Sequence, residues 1–127
     1  MLRDFFYAKG EILAVTLFGS FAENRATEES DVDVAFLCDA KKIPTGLILM
    51  AWKEALSDKL KRAVDIVCLN TASPILGVQV MQNGKDIFVK DALAYDLYRA
   101  RLLLEYAELK KVRKPMEDAI LKRKYYD

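Results

Sequence analysis

Two aspartates separated by a single residue, Asp31 and Asp33, lie in a run (DVDVAFL) that otherwise has the composition of a buried strand. Side chains two residues apart in a strand point to the same face of the sheet, so we expect the two carboxylates side by side, with Val32 and Val34 pointing into the core. Carboxylates this close repel each other unless a cation lies between them. Their hard oxygen atoms suit Mg²⁺ or Mn²⁺ better than zinc. The pair therefore predicts a divalent-metal site.

A third carboxylate, Asp65, is the one acid in another apolar run, AVDIVCL. If this run is a strand beside the first one, Asp65 completes a triad of carboxylates. Each feature taken separately also has an ordinary structural explanation. Asp-x-Asp is common in solvated loops and turns, and a lone aspartate is common on an edge strand.

Gly19 and Ser20 follow the apolar run ILAVTLF and have the properties of an anion site. Glycine has no Cβ, so a ligand can approach its backbone closely. The serine hydroxyl and the free backbone N–H groups of the polar segment that follows can face an anion. A phosphate site beside a divalent-metal site is the arrangement needed to bind a nucleoside triphosphate and attack it in line. The alternative explanation is an ordinary turn after a strand.

Composition narrows the possible functions. The chain has 127 residues, of which 53% are hydrophobic and 31% charged, as expected of one globular domain. The net charge of +1 gives no general case for nucleic-acid binding, and the absence of histidine excludes His-dependent triads and His-based zinc sites.

Cys38 and Cys68, both in apolar runs, are expected to be buried thiols. No apolar run reaches membrane-spanning length and no secretory signature is present, so we expect a cytoplasmic protein with no membrane association.

The periodicity predicts an α/β (α+β) fold, a small mixed β-sheet flanked by helices. We expect a single domain over residues 1–127, with a core at 1–90 and a C-terminal helical segment at 91–127. Ser73 and Pro74 have the types preferred at the N-cap and first position of a helix. The predicted elements are a short helix within 1–10, strands at 12–18, 31–37, 63–69 and 85–89, and helices at 47–62, 74–83, 92–109 and 114–125.

The helix predicted at 92–109 carries an apolar stripe at helical spacing. Such a stripe most often packs against the core, and we expect this one to do so. The stripe consists of Leu93, Leu97, Ala100, Leu104 and Ala107.

The spacing of Gly19-Ser20, ten residues, and Asp31-Val32-Asp33 resembles the Gly-Ser-x10-Asp-x-Asp signature of the polymerase-beta-like nucleotidyltransferase superfamily. The similarity is greatest to the minimal nucleotidyltransferase (MNT) antitoxins, which are single small domains paired with HEPN ribonuclease toxins. It extends over nearly the whole chain, and the segment from residue 83 to 112 resembles that family's short strand and long helix.

The resemblance implies a role for each motif residue. Asp31 and Asp33 would bridge two Mg²⁺ ions, and Asp65 would bind the second ion and help to accept a proton. Gly19 and Ser20 would hold the outgoing phosphates. The implied reaction transfers AMP from ATP to a tyrosine of a cognate HEPN RNase toxin and blocks its RNase site. The HEPN ribonuclease motif needs a histidine, so this chain would not be the toxin.

The chain departs from the family at Ala22-Glu23-Asn24, where many members have Ala-Arg-Gly. Asn24 is a reasonable replacement, because asparagine tolerates the left-handed region. Glu23 brings a negative charge near the expected phosphate site. Arg25 compensates for this charge if the turn is re-routed. Alternatively, Glu23 faces solvent and has no effect on the site.

Two further functions remain open: an antitoxin that neutralises its toxin by binding alone, and a nucleotidyltransferase that acts on a small molecule. We interpret the basic clusters at 110–114 and 122–124 as a solvated helix surface rather than a site for RNA or for an acidic face of a partner. Direct nucleic-acid binding is therefore not expected.

Overall fold

A computed structural model describes residues 2–27 and 30–126, with side chains up to residue 111. Four strands form one sheet in the order β3-β2-β1-β4. Strand β1 runs antiparallel to both β2 and β4, while β2 and β3 are parallel, so the sheet is mixed as predicted. The strands are β1 (Ile12–Phe18), β2 (Val32–Cys38), β3 (Val64–Cys68) and β4 (Lys85–Val89).

Four helices in the described part of the chain flank this sheet, and two of them begin at residues of the types that cap helices. Thr45 caps α2 by accepting a hydrogen bond from the Ile48 N–H at 3.3 Å. Ser73 caps α3 in the same way with the Leu76 N–H at 3.2 Å, and Pro74 occupies the first turn, as predicted. The helices are α1 (Leu2–Tyr7), α2 (Gly46–Leu60), α3 (Pro74–Asn83) and α4 (Ala92–Tyr126).

The core has two parts, one on each face of the sheet, because successive strand side chains alternate between faces. Helices α1 and α2 cover one face, where Phe6 and Leu56 pack with Phe36. Helices α3 and α4 cover the other face, where Val78 and Tyr98 belong to the same cluster as Ala35. Cys38 and Cys68 are free and buried, as predicted.

The prediction of two C-terminal helices is wrong. Helix α4 continues from Ala92 to Tyr126 without a break at 110–113. The residues predicted to separate the two helices are mostly lysine and arginine, which are good helix formers, and no glycine or asparagine follows Leu109 to end the helix. Long as α4 is, neither it nor another helix in the described part of the chain is apolar enough to cross a membrane.

The prediction that the apolar stripe of α4 packs on the core is also wrong. The exposed fractions of Leu93, Leu97 and Leu104 are 70%, 61% and 70%. Ala100 and Ala107 are exposed as well. The stripe therefore faces away from the domain.

A different face of α4 contacts the core. Tyr98 and Leu102 pack against α3 at Gly77, where an added Cβ would lie 2.7 Å from Leu102 Cδ1 and 2.9 Å from the Tyr98 hydroxyl oxygen. The Tyr95 hydroxyl donates a hydrogen bond of 2.6 Å to Asp86 Oδ1 in β4. Because this face combines apolar area with a specific hydrogen bond and a close helix approach, it is the one that docks.

Candidate active site

Strand register brings two of the predicted carboxylates together. Asp33 in β2 pairs with Asp65 in β3 on one side and with Phe18, the last residue of β1, on the other. Residues paired in register share a face of the sheet, so Asp33 and Asp65 are neighbours on the face that α3 and α4 cover. Asp31 is exposed and lies just before β2 begins.

The electrostatics of Asp33 reflect this crowding. Burial is the largest cause that raises the pKa of Asp33 above its ordinary value of 3.8, followed by the negative charges of Asp65 and then Asp31. Asp65 and Asp31 are therefore both close enough to act on the carboxylate of Asp33. A cation placed among them would remove this repulsion.

Gly19 makes room for the Asp33 carboxylate. It has a φ of +74°, in the region that favours glycine, and a Cβ built on it would lie 2.2 Å from Asp33 Oδ2. The carboxylate thus rests directly against the Gly19 backbone. The sequence argument explained this glycine by the approach of a ligand, whereas the structure shows that Asp33 itself requires it.

Two backbone hydrogen bonds close the turn that follows β1 and contains Ser20. The Glu23 N–H donates to the Gly19 carbonyl at 3.2 Å, and the Arg25 N–H donates to the Ser20 carbonyl at 2.9 Å. Asn24 has a φ of 56°, so it adopts the left-handed conformation for which asparagine is suited. The turn that begins at Gly19 is therefore retained with Asn24 in place of glycine.

Glu23 pairs with Arg25 across this turn. The Arg25 guanidinium donates to the Glu23 carboxylate, and the exposed fractions of the two side chains are 67% and 36%. The charge that Glu23 adds is thus balanced by Arg25 within the turn. Glu23 therefore occupies part of the guanidinium with which Arg25 could contact a phosphate.

Arg62, which sequence reasoning missed, holds the segment that joins the turn to Asp31. Its Nη1 donates to the Thr27 carbonyl at 2.9 Å and to the Ser30 carbonyl at 3.3 Å. Its guanidinium also lies 5.2 Å from the centre of the Phe21 ring. No sequence signal could have identified this role, because a basic residue just after a helix is common and these contacts span more than thirty positions.

Lys53 of α2, also missed, contacts the third carboxylate. Its Nζ lies 3.4 Å from Asp65 Oδ1, with exposed fractions of 53% and 58% for the two side chains. Exposed ion pairs of this kind contribute at most about 1 kcal/mol, so Asp65 can leave Lys53 at little cost.

The donor set fits a hard divalent cation in its chemistry. Asp31, Asp33 and Asp65 offer carboxylate oxygens, and the repulsion at Asp33 is the kind that such an ion relieves. In the conformation described, with Asp65 turned to Lys53, no three acidic or cysteine side chains among the described residues are gathered closely enough to hold an ion. Binding would therefore require these side chains to turn toward one another.

Comparison with known proteins identifies the family. Residues 1–93 match the family model described as polymerase beta, nucleotidyltransferase. The chain belongs to this nucleotidyltransferase family. The matched region contains the whole sheet, the Gly19-Ser20 turn and all three aspartates.

This nucleotidyltransferase is also similar to a curated protein adenylyltransferase, MntA of Aphanizomenon flos-aquae (strain 2012/KM1/D3). The two are 30% identical, and the alignment covers 79% of this chain and 72% of the relative. The chain is thus a homologue of MntA, which confirms the resemblance to the MNT proteins.

Solved structures confirm the fold of the nucleotidyltransferase. A chain from a crystal structure of a toxin-antitoxin with AMP-PNP superposes with a TM-score of 0.85 at 22% identity, over 94% of this chain and 95% of that one. A chain from the complex of a tri-AMPylated Shewanella oneidensis HEPN toxin with MNT antitoxin gives a TM-score of 0.78 at 21% identity, over 94% and 92% of the two chains.

Proposed function

We propose that this nucleotidyltransferase is an antitoxin that transfers AMP from ATP to a tyrosine hydroxyl of a cognate HEPN RNase toxin and thereby neutralises it. The observation that carries the proposal is the placement of Asp33 beside Asp65 and against Gly19, at the point where the Gly-Ser turn begins. The homologous MntA is named a protein adenylyltransferase, and the Shewanella oneidensis complex contains an AMPylated HEPN toxin. Both support the proposal.

The three aspartates would hold two Mg²⁺ ions, for which Mn²⁺ is a possible substitute. When bound, these ions would balance the triphosphate charge and lower the pKa of the acceptor hydroxyl. Asp31 and Asp33 would bind both ions, and Asp65 would bind the one nearer the acceptor. Asp65 would leave its weak, exposed pair with Lys53 to take part in this site.

The remaining residues position ATP. Gly19 and Ser20 would hold the outgoing phosphates through backbone N–H groups and the serine hydroxyl. Arg25, which is paired with Glu23 in the structure, would join them. The acceptor oxygen then forms a bond to the α-phosphorus, the bond from that phosphorus to the bridging oxygen breaks, and pyrophosphate leaves. Asp65 helps to accept the proton of the hydroxyl.

A second function, neutralisation by binding alone, is favoured by two contacts. Arg25 is paired with Glu23, and Asp65 is paired with Lys53, so two residues of the proposed machinery already have partners within the chain. In such a protein the aspartates would be retained but idle.

Intact mass spectrometry distinguishes these functions. The product of the neighbouring gene is incubated with the protein, ATP and Mg²⁺, and in parallel with the Asp31→Ala/Asp33→Ala double variant. We expect the partner to gain one or more adenylate units with the parent protein and none with the double variant. A partner that binds tightly but remains unmodified would establish neutralisation by binding alone.

A further inference from the structure

A cavity of about 170 Å³ with an almost entirely polar lining lies where β1 and β4 meet helices α3 and α4. We call it the polar cavity. Asp86 and Arg99 are exposed, so a ligand can enter from solvent. The side chains that supply its polar groups are Thr16 of β1, Asp86 of β4, and Tyr95 and Arg99 of α4.

A second, mostly apolar cavity of about 170 Å³ adjoins the first, between α3 and α4. The two cavities share Met81 and Arg99, while Val78 and Leu102 supply apolar lining to the second, which we call the apolar cavity. Together they reach the lower end of the range of ligand pockets, about 300 Å³. One ligand with a polar part and an apolar part could therefore occupy both.

Two buried hydroxyl groups fix the carboxylate of Asp86 at the wall of the polar cavity. Asp86 Oδ1 accepts hydrogen bonds from the Thr16 hydroxyl at 2.9 Å and from the Tyr95 hydroxyl at 2.6 Å. Thr16 and Tyr95 are only 2% and 4% exposed. Burial, followed by the hydrogen bond to Asp86, raises the pKa of Tyr95 to about 12, so its hydroxyl stays protonated and donates at neutral pH. All hydrogen bonds from described residues to this carboxylate end at Oδ1, which leaves Oδ2 as an acceptor for a ligand.

Arg99 brings the opposite charge to the same cavity. Its guanidinium carbon lies 5.6 Å from the centre of the Tyr95 ring. Within the described part of the chain it forms no ion pair, with Asp86 or with any other carboxylate. A carboxylate and a guanidinium that border one cavity without pairing suit a ligand that offers a donor to the first and an aromatic face to the second.

The polar cavity lies close to the proposed phosphate and metal site. Thr16 precedes Phe18 by two residues in β1, so both side chains belong to one face of the sheet and are about 7 Å apart along the strand. Phe18 pairs with Asp33. Gly84, which also lines the cavity, approaches the same end of β1, because a Cβ built on it would lie 3.2 Å from the Leu17 carbonyl oxygen. A nucleotide with its α-phosphate near Asp33 can therefore extend its nucleoside into the cavity.

We propose that the two cavities bind the nucleoside of ATP, with a ribose hydroxyl donating to Asp86 and the adenine ring stacked on the Arg99 guanidinium in the apolar cavity. This site rests on the proposed function and adds to it the residues that recognise ribose and base. Carboxylates accept hydrogen bonds from ribose hydroxyls in dinucleotide sites, and arginine guanidinium groups stack on bases. A nucleoside has one polar part and one flat apolar part, as the pair of cavities requires.

Replacing Arg99 tests the contact with the base. Arg99→Ala should weaken binding of ATP in the presence of Mg²⁺ by about tenfold in calorimetry, because the stacked cation is lost. Arg101→Ala is the matched control, since it removes the same charge from the same helix. Arg101 is paired with Glu105 at 3.6 Å and lines neither cavity, so its loss should leave ATP affinity nearly unchanged.

Inorganic tripolyphosphate distinguishes a base contact from a phosphate contact. This ligand has no nucleoside, so Arg99→Ala should bind it as tightly as the parent protein does. An equal loss of affinity for tripolyphosphate and for ATP would place Arg99 on the phosphates and overturn the proposal. An Arg99→Ala variant that binds ATP like the parent would overturn it as well.

Deoxy analogues of ATP test the contact with ribose. The parent should bind ATP about tenfold more tightly than at least one of 2′-deoxy-ATP and 3′-deoxy-ATP. Asp86→Asn should lose this preference, because an amide whose oxygen stays on Thr16 and Tyr95 turns its NH₂ group toward the cavity. Circular dichroism and urea unfolding would verify the fold of this variant. A parent that binds all three nucleotides equally, or an Asp86→Asn variant with the full preference, would contradict the ribose contact.

These binding measurements use neither the toxin nor AMP transfer, so the two proposals can fail separately. If the toxin remains unmodified while Arg99→Ala selectively weakens ATP binding, the nucleoside site stands and adenylyl transfer is refuted. If the toxin is modified while Arg99→Ala and Asp86→Asn bind every nucleotide like the parent, the nucleoside site alone is refuted.

Discussion

Replacing Gly19 with alanine should damage both stability and catalysis, through one contact. A Cβ at residue 19 would lie 2.2 Å from Asp33 Oδ2 and 3.1 Å from its Cγ. Reaching an ordinary contact of 3.4 Å would move the oxygen by about 1.2 Å. The backbone at φ +74° adds a second cost, because L side chains rarely adopt that conformation.

The two costs can be assigned magnitudes. A non-glycine residue in the left-handed region costs about 1 to 2 kcal/mol. A side chain forced from its rotamer adds about 0.5 to 1.5 kcal/mol. We therefore expect Gly19→Ala to lower the free energy of unfolding by roughly 2 kcal/mol and Tm by roughly 5 to 10 °C. A carboxylate displaced by about 1 Å should lower the rate of AMP transfer by about 100-fold.

Urea unfolding and an AMP-transfer assay measure these effects, with Gly10→Ala as the matched control. A Cβ at Gly10 meets nothing within 4 Å, so this substitution should leave both properties nearly unchanged. In an Asp33→Ala background, Gly19→Ala should retain only the backbone cost, because Oδ2 and Cγ are absent. The reasoning would be refuted if Gly19→Ala behaved like the parent protein, or if its stability cost were identical in both backgrounds.

Three further predictions concern residues around the site. Burial and two neighbouring carboxylates raise the pKa of Asp33 in the folded protein above its ordinary value of 3.8. The folded state therefore binds a proton at Asp33 more tightly than the unfolded state does. As a result, the contribution of Asp33 to the free energy of unfolding falls as the pH rises from its unfolded-state pKa through its folded-state pKa. Asp33→Asn should remove this pH dependence, and urea titrations at neutral pH should find the variant at least as stable as the parent. The variant should also lose Mg²⁺-dependent ATP turnover. A variant with full turnover would contradict the metal site. Glu23→Ala should free Arg25 and tighten ATP binding by several-fold in calorimetry at low salt, and an unchanged affinity would mean that Arg25 does not reach the phosphates. Arg62→Ala should speed proteolysis between Phe21 and Asp31 and weaken ATP binding, because three contacts on that segment are lost, whereas equal cleavage rates would show that Arg62 does not hold it.

Much of the sheet could be predicted from the sequence. The strands at 12–18 and 85–89 have the predicted bounds, and the other two differ from the prediction by one residue at each end. These runs are short, apolar and bounded by turn residues, so local pattern alone identifies them. The neighbouring positions of Asp33 and Asp65 depended on one further assumption, that their strands are adjacent, and the structure confirms it.

The features that prediction missed depend on contacts distant in sequence. Helix α4 has two apolar faces, and periodicity alone does not say which one docks. The choice depends on Gly77, which lets α4 approach α3 closely, and on Asp86, which accepts a hydrogen bond from Tyr95. The contacts of Arg62 likewise depend on how the segment before β2 folds back onto the end of α2.

The most direct test of AMP transfer follows the fate of labelled phosphate. The partner toxin is incubated with this protein, Mg²⁺ and ATP labelled at either the α- or the γ-phosphate, with Asp33→Asn in parallel. Adenylyl transfer predicts that α-label becomes covalently bound to the partner, that γ-label does not, and that Asp33→Asn transfers neither. Bound γ-label, or α-label that persists at full level with Asp33→Asn, would contradict a nucleotidyltransferase site built on this aspartate.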